Sequence, residues 1–400
     1  MWQVRTKRWY SLIFDSLSHK VGYEMQWNRL RITLIVILGL VIGLAGCDAS
    51  DNTTKTFEPG NNAITIPVRA VYAYSSFNDS IAIFDMDNNR VVGVHHICPD
   101  SEFVADFTIG PDGSLYFPVT QTELATMSSG DTSGKIIRVM NPSTGQVVHE
   151  IEVLKRPRRI YTLPNGKALI EHSHQEAGAE NIACTLLDMN SNTIENVFHL
   201  DGIVGGVLES PTGKLYINLL DVLNQYGGLT LIEFDPEAGS PVGAPIVLGT
   251  GTAEVACFIS DSHIYTQIIS NDEESGAHAI GVIEFPSGKL LKKIATPGIP
   301  RTLQVVGEKA YVTCFSGTPN DVDSGRGLLV IDTTTDTVVK TIEISPGPQC
   351  TVYSDATGYI YVGCVEGNIS IVDPSTDELV ETIQCEQLRS WGINQIKTGS

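Results

Sequence analysis

The sequence predicts an all-β fold, a seven-bladed β-propeller of four-stranded antiparallel blades. Three observations predict it. Strands rich in Val, Ile and Tyr recur with a period of about 41 to 56 residues. Each period holds three clear strands and one weaker one. The first period lacks its leading strand, whereas the chain end carries a spare one. A chain of 400 residues exceeds the roughly 250 to 300 at which a single hydrophobic core stops growing. A closed array of repeats escapes that limit, because each unit packs only on its neighbours.

Composition narrows the functional classes. Hydrophobic residues at 42% and charged residues at 18% exclude a disordered chain. The 26 basic against 46 acidic residues give a net charge of −20, which would repel a nucleic-acid backbone.

Taken in order, Ile32 to Leu44 is a 13-residue apolar run behind Arg29 and Arg31. It suits the hydrophobic region of a signal peptide and falls short of the ~20 residues that span a bilayer. The polar stretch upstream of Met25 is not needed by such a leader, so translation is expected to start at Met25. The run ends in Leu44-Ala45-Gly46-Cys47, which resembles the lipobox of bacterial lipoproteins. That resemblance implies cleavage after residue 46 and acylation (palmitate) of Cys47. It also implies an extracytoplasmic protein held on a bacterial membrane, at the periplasmic side or the cell surface. Asp48 resembles the inner-membrane retention signal of enteric lipoproteins. Residues 1 to 46 carry six basic and two acidic residues, so the remainder holds 20 and 44, a net of −24. Such a surface would not adhere directly to anionic lipid. Residues 47 to 62, poor in apolar periodicity and rich in Asn, Thr, Asp and Gly, read as a flexible tether.

Residues 63 to 400 form the repeat array. Its clearest strands are AVYAY (70–74), SLYFPV (114–119), KALIEH (167–172), KLYINL (214–219), HIYTQI (263–268), KAYVTC (309–314) and YIYVGC (359–364). Each is followed by a second strand ending near an acidic or turn residue, then by a hairpin turn such as Asp373-Pro-Ser-Thr-Asp377 and a third strand. The spare strand is expected over Leu388 to Ile396, and joining it to blade one closes the ring. Lys309 to Cys314 with Val330 to Ile342 resembles the YVTN-repeat β-propellers, blades six and seven matching best. In blade five, Pro286 is aligned with Asp332 and Asp373. The resemblance specifies fold more than function.

Functional expectations concentrate on one face. The second-to-third-strand links are long in blades two to six and short in blades one and seven. Elaborated loops on a rigid scaffold are where binding usually resides. Aligning inner strands on the Tyr or Leu that follows places Arg159, Arg301 and Gln349 at one level of the channel mouth, with Arg158, Arg389 and Trp391 close by. Guanidinium forks there suit a carboxylate or phosphate. The competing reading is structural, with these arginines pairing Asp106, Glu102 or Glu254 of adjoining blades. His172 and His174 share a strand face with Glu171 and Glu176 nearby, a candidate set for a divalent metal. An exposed polar loop also explains them.

Asp85-Met-Asp-Asn-Asn89 starts like a calcium loop, but Arg90 replaces its glycine, so a hairpin turn is expected instead. Of eight cysteines, seven remain after Cys47, and no disulfide is assigned, Cys350 and Cys364 included. No nucleophile elbow, zincin motif, phosphate loop or haem-attachment pair occurs. The expected function is a non-catalytic scaffold for a partner protein or small anionic ligand. The alternatives are a lactonase-like propeller hydrolase and a structural envelope protein.

Overall fold

The computed structural model describes residues 63–76, 79–97, 102–121, 135–154, 156–172, 182–220, 229–248, 252–268, 278–315, 327–388 and 392–399. They form seven antiparallel sheets in a ring. The predicted strands fall where the apolar alternation put them: KALIEH, HIYTQI and YIYVGC are the strands Lys167–His172, His263–Ile268 and Tyr359–Cys364. In five blades four strands follow one another in the chain, the first lying innermost, where it meets the inner strands of adjacent blades. Blade two splits its inner strand into Glu102–Val104 and Thr108–Ile109, both paired with Leu115–Gln121.

Successive residues of a strand point to opposite sheet faces, so every blade is apolar on both sides. The consequence is seven separate cores, one at each seam between neighbouring blades. Blade six illustrates the division. Tyr311 and Val330 face blade seven, whereas Ala310, Val312 and Ile331 face blade five.

Ring closure comes from the C-terminal strand, which pairs with blade one as expected, but its span differs. Leu388 ends a 3-10 turn (Glu386–Leu388), Gly392 adopts a left-handed φ of 73°, and the paired strand is Gln395–Gly399. Ile393 and Leu388 are not strand residues. They are buried wedges that fill the seam between blades seven and one beside Cys350 and Tyr361.

Two faces result. At the turn face lie the first-to-second and third-to-fourth turns, as shown by Lys309 pairing with both Val306 and Asp332. At the opposite, link face lie the second-to-third links and the connections between blades. Every third-to-fourth turn has one form. The fifth residue, namely Asn89, Gly145, Asn192, Gly239, Gly288, Asp336 or Asp377, has a φ between 47° and 72°, a conformation open to Gly, Asn and Asp. In most of these turns the first residue is an Asp or Asn whose side chain accepts backbone N–H groups. Asp332 Oδ1 takes Thr334 and Thr335 at 2.8 and 3.0 Å, and Asp85 Oδ1 takes Asp87 and Asn88. Asp85 thus starts a hairpin turn. In blade five the counterpart of Asp332 is Glu284, which pairs with His263 as Asp332 pairs with Lys309. Pro286 lies two residues further on, correcting the alignment made from sequence.

The repeated tyrosines explain the motif. Tyr311 donates to Asp377 Oδ1 of blade seven at 2.6 Å, Tyr265 to Asp336 of blade six, and Tyr116 to Asn192 of blade three at 2.8 Å. Each clamps the left-handed turn residue of the next blade. Burial pushes the Tyr116 hydroxyl up to about 12, with Asp112 and Asp188 adding to it, so it stays a donor.

The N-terminal segment docks at the turn face. Ile64 N–H donates to Ser143 O of the blade-two turn at 2.6 Å, and Ile64 covers Gly93 of blade one, where a Cβ would meet its side chain at 2.0 Å.

Candidate functional site

The link-face end of the channel is shaped by a recurring β-bulge. In blade three Glu171 pairs with Arg159 and His172 with Pro157, so Arg158 is the extra residue. In blade six Cys314 pairs with Pro300 and Thr313 with Thr302, leaving Arg301. In blade seven Cys364 pairs with Pro348 and Gly363 with Cys350, leaving Gln349. Blade four repeats the arrangement with Gly205. A bulged residue leaves the ladder and its side chain is re-aimed.

The equivalent set is therefore Arg158, Arg301 and Gln349, and Arg159 stands one rung deeper, level with Thr302 and Cys350. The counterpart of Leu303 is Ile160, not Tyr161. Counting back from Tyr161 shifted the sequence alignment by one.

The bulge has a structural use as well. The carbonyl just before it turns toward the preceding blade and accepts a side-chain hydrogen bond. Thr120 Oγ1 reaches Pro157 O at 2.7 Å, Tyr161 hydroxyl reaches Val204 O at 2.9 Å, and Gln267 Nε2 reaches Pro300 O at 2.6 Å. Cys350 Sγ approaches Ile393 O at 3.6 Å in the same way. Four seams share one latch.

The two blade-three arginines have different surroundings. Arg159 Nη1 lies 3.5 Å from both Val204 O and the Tyr161 hydroxyl, which ties it to the seam with blade four. Arg158 has a side chain 42% exposed, with Nη1 3.9 Å from Oε1 of Glu171, a carboxylate with no exposure. Removing Arg158 would take a positive charge away from a buried negative one, which is costly. Among the described residues, Asp106 of blade two, one of the acidic partners considered for these arginines, meets backbone and a lysine. One of its oxygens accepts Ile160 N–H at 3.0 Å and the other lies 3.8 Å from Lys397 Nζ.

One neighbour was missed from sequence. Arg156 is exposed with φ 57°, an uncommon conformation for a residue with a long side chain. The signal was available in Lys155-Arg156-Pro157-Arg158-Arg159, which puts four of the 20 basic residues after Cys47 into five positions.

His172 is buried, with Nε2 2.9 Å from Thr185 Oγ1, and adjacent Glu171 faces the other side of the strand. His174, Glu176, Arg389, Trp391 and Cys47, and most of the long links of blades two to six, lie outside the described residues. Among the described residues, no three His, Cys, Asp or Glu side chains converge as metal ligands. Cys314 and Cys364 occupy equivalent rungs, and burial pushes the Cys314 thiol up to about 12. Cys350 and Cys364 belong to cores on opposite sides of blade seven, and both are free thiols.

No family model matches the chain, and no curated protein matches it. Solved structures do. Hydrazine synthase of Kuenenia stuttgartiensis is similar over 83% of this chain and 100% of that one, at 17% identity and a TM-score of 0.59. A functionally unknown protein from Desulfotomaculum acetoxidans matches over 82% and 98%, at 14% identity and a TM-score of 0.56. Dihydro-heme d1 dehydrogenase matches over 87% and 76%, at 15% identity and a TM-score of 0.51. At these identities the likeness is one of fold alone.

Proposed function

We propose that this protein is a membrane-tethered, extracytoplasmic binding scaffold whose channel mouth takes a small anionic ligand at the link face. The observation that carries the reading is the bulged rung. It brings Arg158 and Arg301 to equivalent rungs at the link-face end of two inner strands, in a chain whose net charge after Cys47 is −24. In so acidic a protein, guanidinium groups at one level of one face are not the product of general basicity, and their forks match carboxylate and phosphate. The tether adds to this. Ile64 docks on the blade-two turn beside Ser143, so a tether from Cys47 would join the propeller at the turn face and leave the link face clear.

The test is thermal denaturation of the protein lacking its leader, with citrate and phosphate titrated in. A ligand of the native state raises the melting temperature by mass action. A rise that saturates with concentration and is lost in Arg301→Gln supports the site, and no rise with any small anion rejects it. Attachment is tested separately: Cys47→Ser should release the protein from membranes or stall its maturation, because 13 apolar residues are too few to span a bilayer.

A further inference from the structure

One rung of the outer strands bridges the seams at their rim. It is the residue just past the bulge of the fourth strand, where Gly93 pairs with Ile83, Asn196 with Leu186, Lys292 with Val282 and Glu381 with Ile371. In blades three, five and seven its side chain reaches the turn of the next blade. Asn196 Nδ2 donates to Gly239 O at 2.8 Å, Lys292 Nζ donates to Thr335 O at 3.0 Å, and Glu381 accepts from Asn89 Nδ2 at 2.7 Å. Blade one has Gly93 at this rung and no side chain to send. The N-terminal segment takes over the task. Ile64 lies against Gly93 and leaves no room for a Cβ, its N–H donates to Ser143 O of the blade-two turn at 2.6 Å, and the Ser143 hydroxyl donates to Ile64 O.

The segment is held differently from a blade strand. Ala63 and Thr65 are exposed, whereas Ile64 and Ile66 are half-buried against the core between blades one and two, so only one side of an extended stretch is covered. A cleft of about 400 Å³, lined by Ala63, Ile64, Thr65, Arg90, Val91 and Val92, remains between the segment and the outer strand. Packing there is far looser than in a protein interior. The seam also has a second hold on the same turn. His95 Nε2 donates to Pro142 O at 2.7 Å, and its ring fills the space that a Cβ on Gly145 would need.

We infer that Ala63–Ile66 is a displaceable strap and that the rim of blade one, opened by Gly93, is its docking site. Docked, the strap fixes the N-terminal extension beside the blade-two turn. Released, it leaves the extension attached through Pro67 and Val68, the latter 90% exposed. Its four residues then add roughly 14 Å of reach. Release also uncovers Val91 and Val92, the counterparts of the exposed pairs Leu290–Leu291 and Leu379–Val380. On the tethered reading above, the strap sets how far and in which direction the propeller stands from its anchor, whereas the docking itself does not depend on that reading.

Amide exchange and thermal melting of the leaderless protein test this. A strap opens without the ring, so the Ile64 amide should exchange roughly a hundredfold faster than the paired amides of Ala70–Ser75. Gly93→Asn installs the residue that blade three uses. It should displace Ile64 and bridge to the blade-two turn itself, so that protection at Ile64 falls roughly tenfold while the melting temperature moves by less than about 2 °C. Ser143→Ala removes only the hydroxyl bond to the strap and decides the matter if Gly93→Asn does not fold. Protection at Ile64 should then fall roughly fivefold with melting unchanged. Equal protection of Ile64 and Ala70–Ser75, or a melting temperature that falls together with Ile64 protection in Ser143→Ala, makes the segment an integral part of blade one and overturns the strap. Unchanged protection at Ile64 in both variants overturns the docking site. Each of these readouts is taken without a membrane, so a failed Cys47→Ser test would leave them untouched.

Discussion

At the turn face, seven hairpins place a left-handed residue at the same position, and three tyrosines clamp that residue from the blade before. At the link face, the bulged position holds Ala105, Arg158, Gly205, Arg301, Gln349 and Asn394 in six blades, whereas blade five passes from Thr252 to Ala256 with a longer excursion. Backbone geometry is shared by both faces, but the bulged residue of the link face changes from blade to blade, whereas the left-handed position of the turn face is always Gly, Asn or Asp. Chemistry needed in every blade is holding chemistry, since a ring requires all its seams. Chemistry present in two blades is free to serve a ligand. The tyrosine clamp is therefore a stability device, and the functional candidates are the places where blades differ.

The comparison makes closure the largest effect. Removing residues 392 to 400 deletes buried Ile393 and Ile396, the pairing of Gln395–Gly399 with blade one, and the Gln395 Nε2 bond to Ala105 O. Each lost isoleucine alone is worth roughly 2–5 kcal/mol, against about 5–15 kcal/mol for the whole fold. The truncated protein should be insoluble or melt more than about 10 °C lower. Ile393→Ala should move in the same direction by a measurable part of that. An unchanged melting temperature in both would show that the ring closes without this segment.

A clamp between two blades should matter less. Tyr311→Phe removes the hydrogen bond to Asp377 and leaves that carboxylate with Lys309 at 2.7 Å, so a loss of about 1–2 kcal/mol is expected. The double-mutant cycle with Asp377→Asn should give a nonzero coupling. At the link face, Gln349→Ala should change stability by less than about 0.5 kcal/mol. Chemical denaturation of the three variants decides the matter. If Gln349→Ala proves as damaging as Tyr311→Phe, the division between holding and binding faces is wrong.

Strand positions were legible because strands buried on both sides read as apolar runs bounded by turn residues. KALIEH and YIYVGC needed no structure. The C-terminal strand was displaced because Leu388 and Ile393 are as apolar as strand residues. Sequence pattern cannot separate a buried wedge from a paired strand when a 3-10 turn and the left-handed Gly392 intervene. The bulge was illegible for another reason. It adds a residue without changing the hydrophobic pattern, and only the shift from Arg159 to Pro157 against Glu171 and His172 reveals it. Arg158 and Arg159 were both chosen, but which of them matches Arg301 depended on that single residue.

The smallest effect expected is an acid one confined to the turn face. Asp85, Asp188, Asp332 and Asp373 are held below the usual carboxylate range, chiefly by hydrogen bonds from the side chains of Asn88, Ser191, Thr334 and Ser375. A carboxylate whose pKa is lowered by folding contributes stability that is fully present above its unfolded pKa, about 3.9. That contribution is lost as pH falls through the lower folded value. Blade two already shows how the turn survives without a titrating group, since Asn141 Oδ1 accepts the Ser143 and Thr144 N–H groups at 2.8 and 3.2 Å. Replacing the four aspartates by Asn should therefore preserve the turns at pH 7 and flatten the fall in melting temperature between pH 5 and pH 3. Solvent around these exposed turns screens each contribution, so the flattening requires all four substitutions to be resolved. An unaltered acid limb in the quadruple variant would show that acid sensitivity does not come from the turn aspartates.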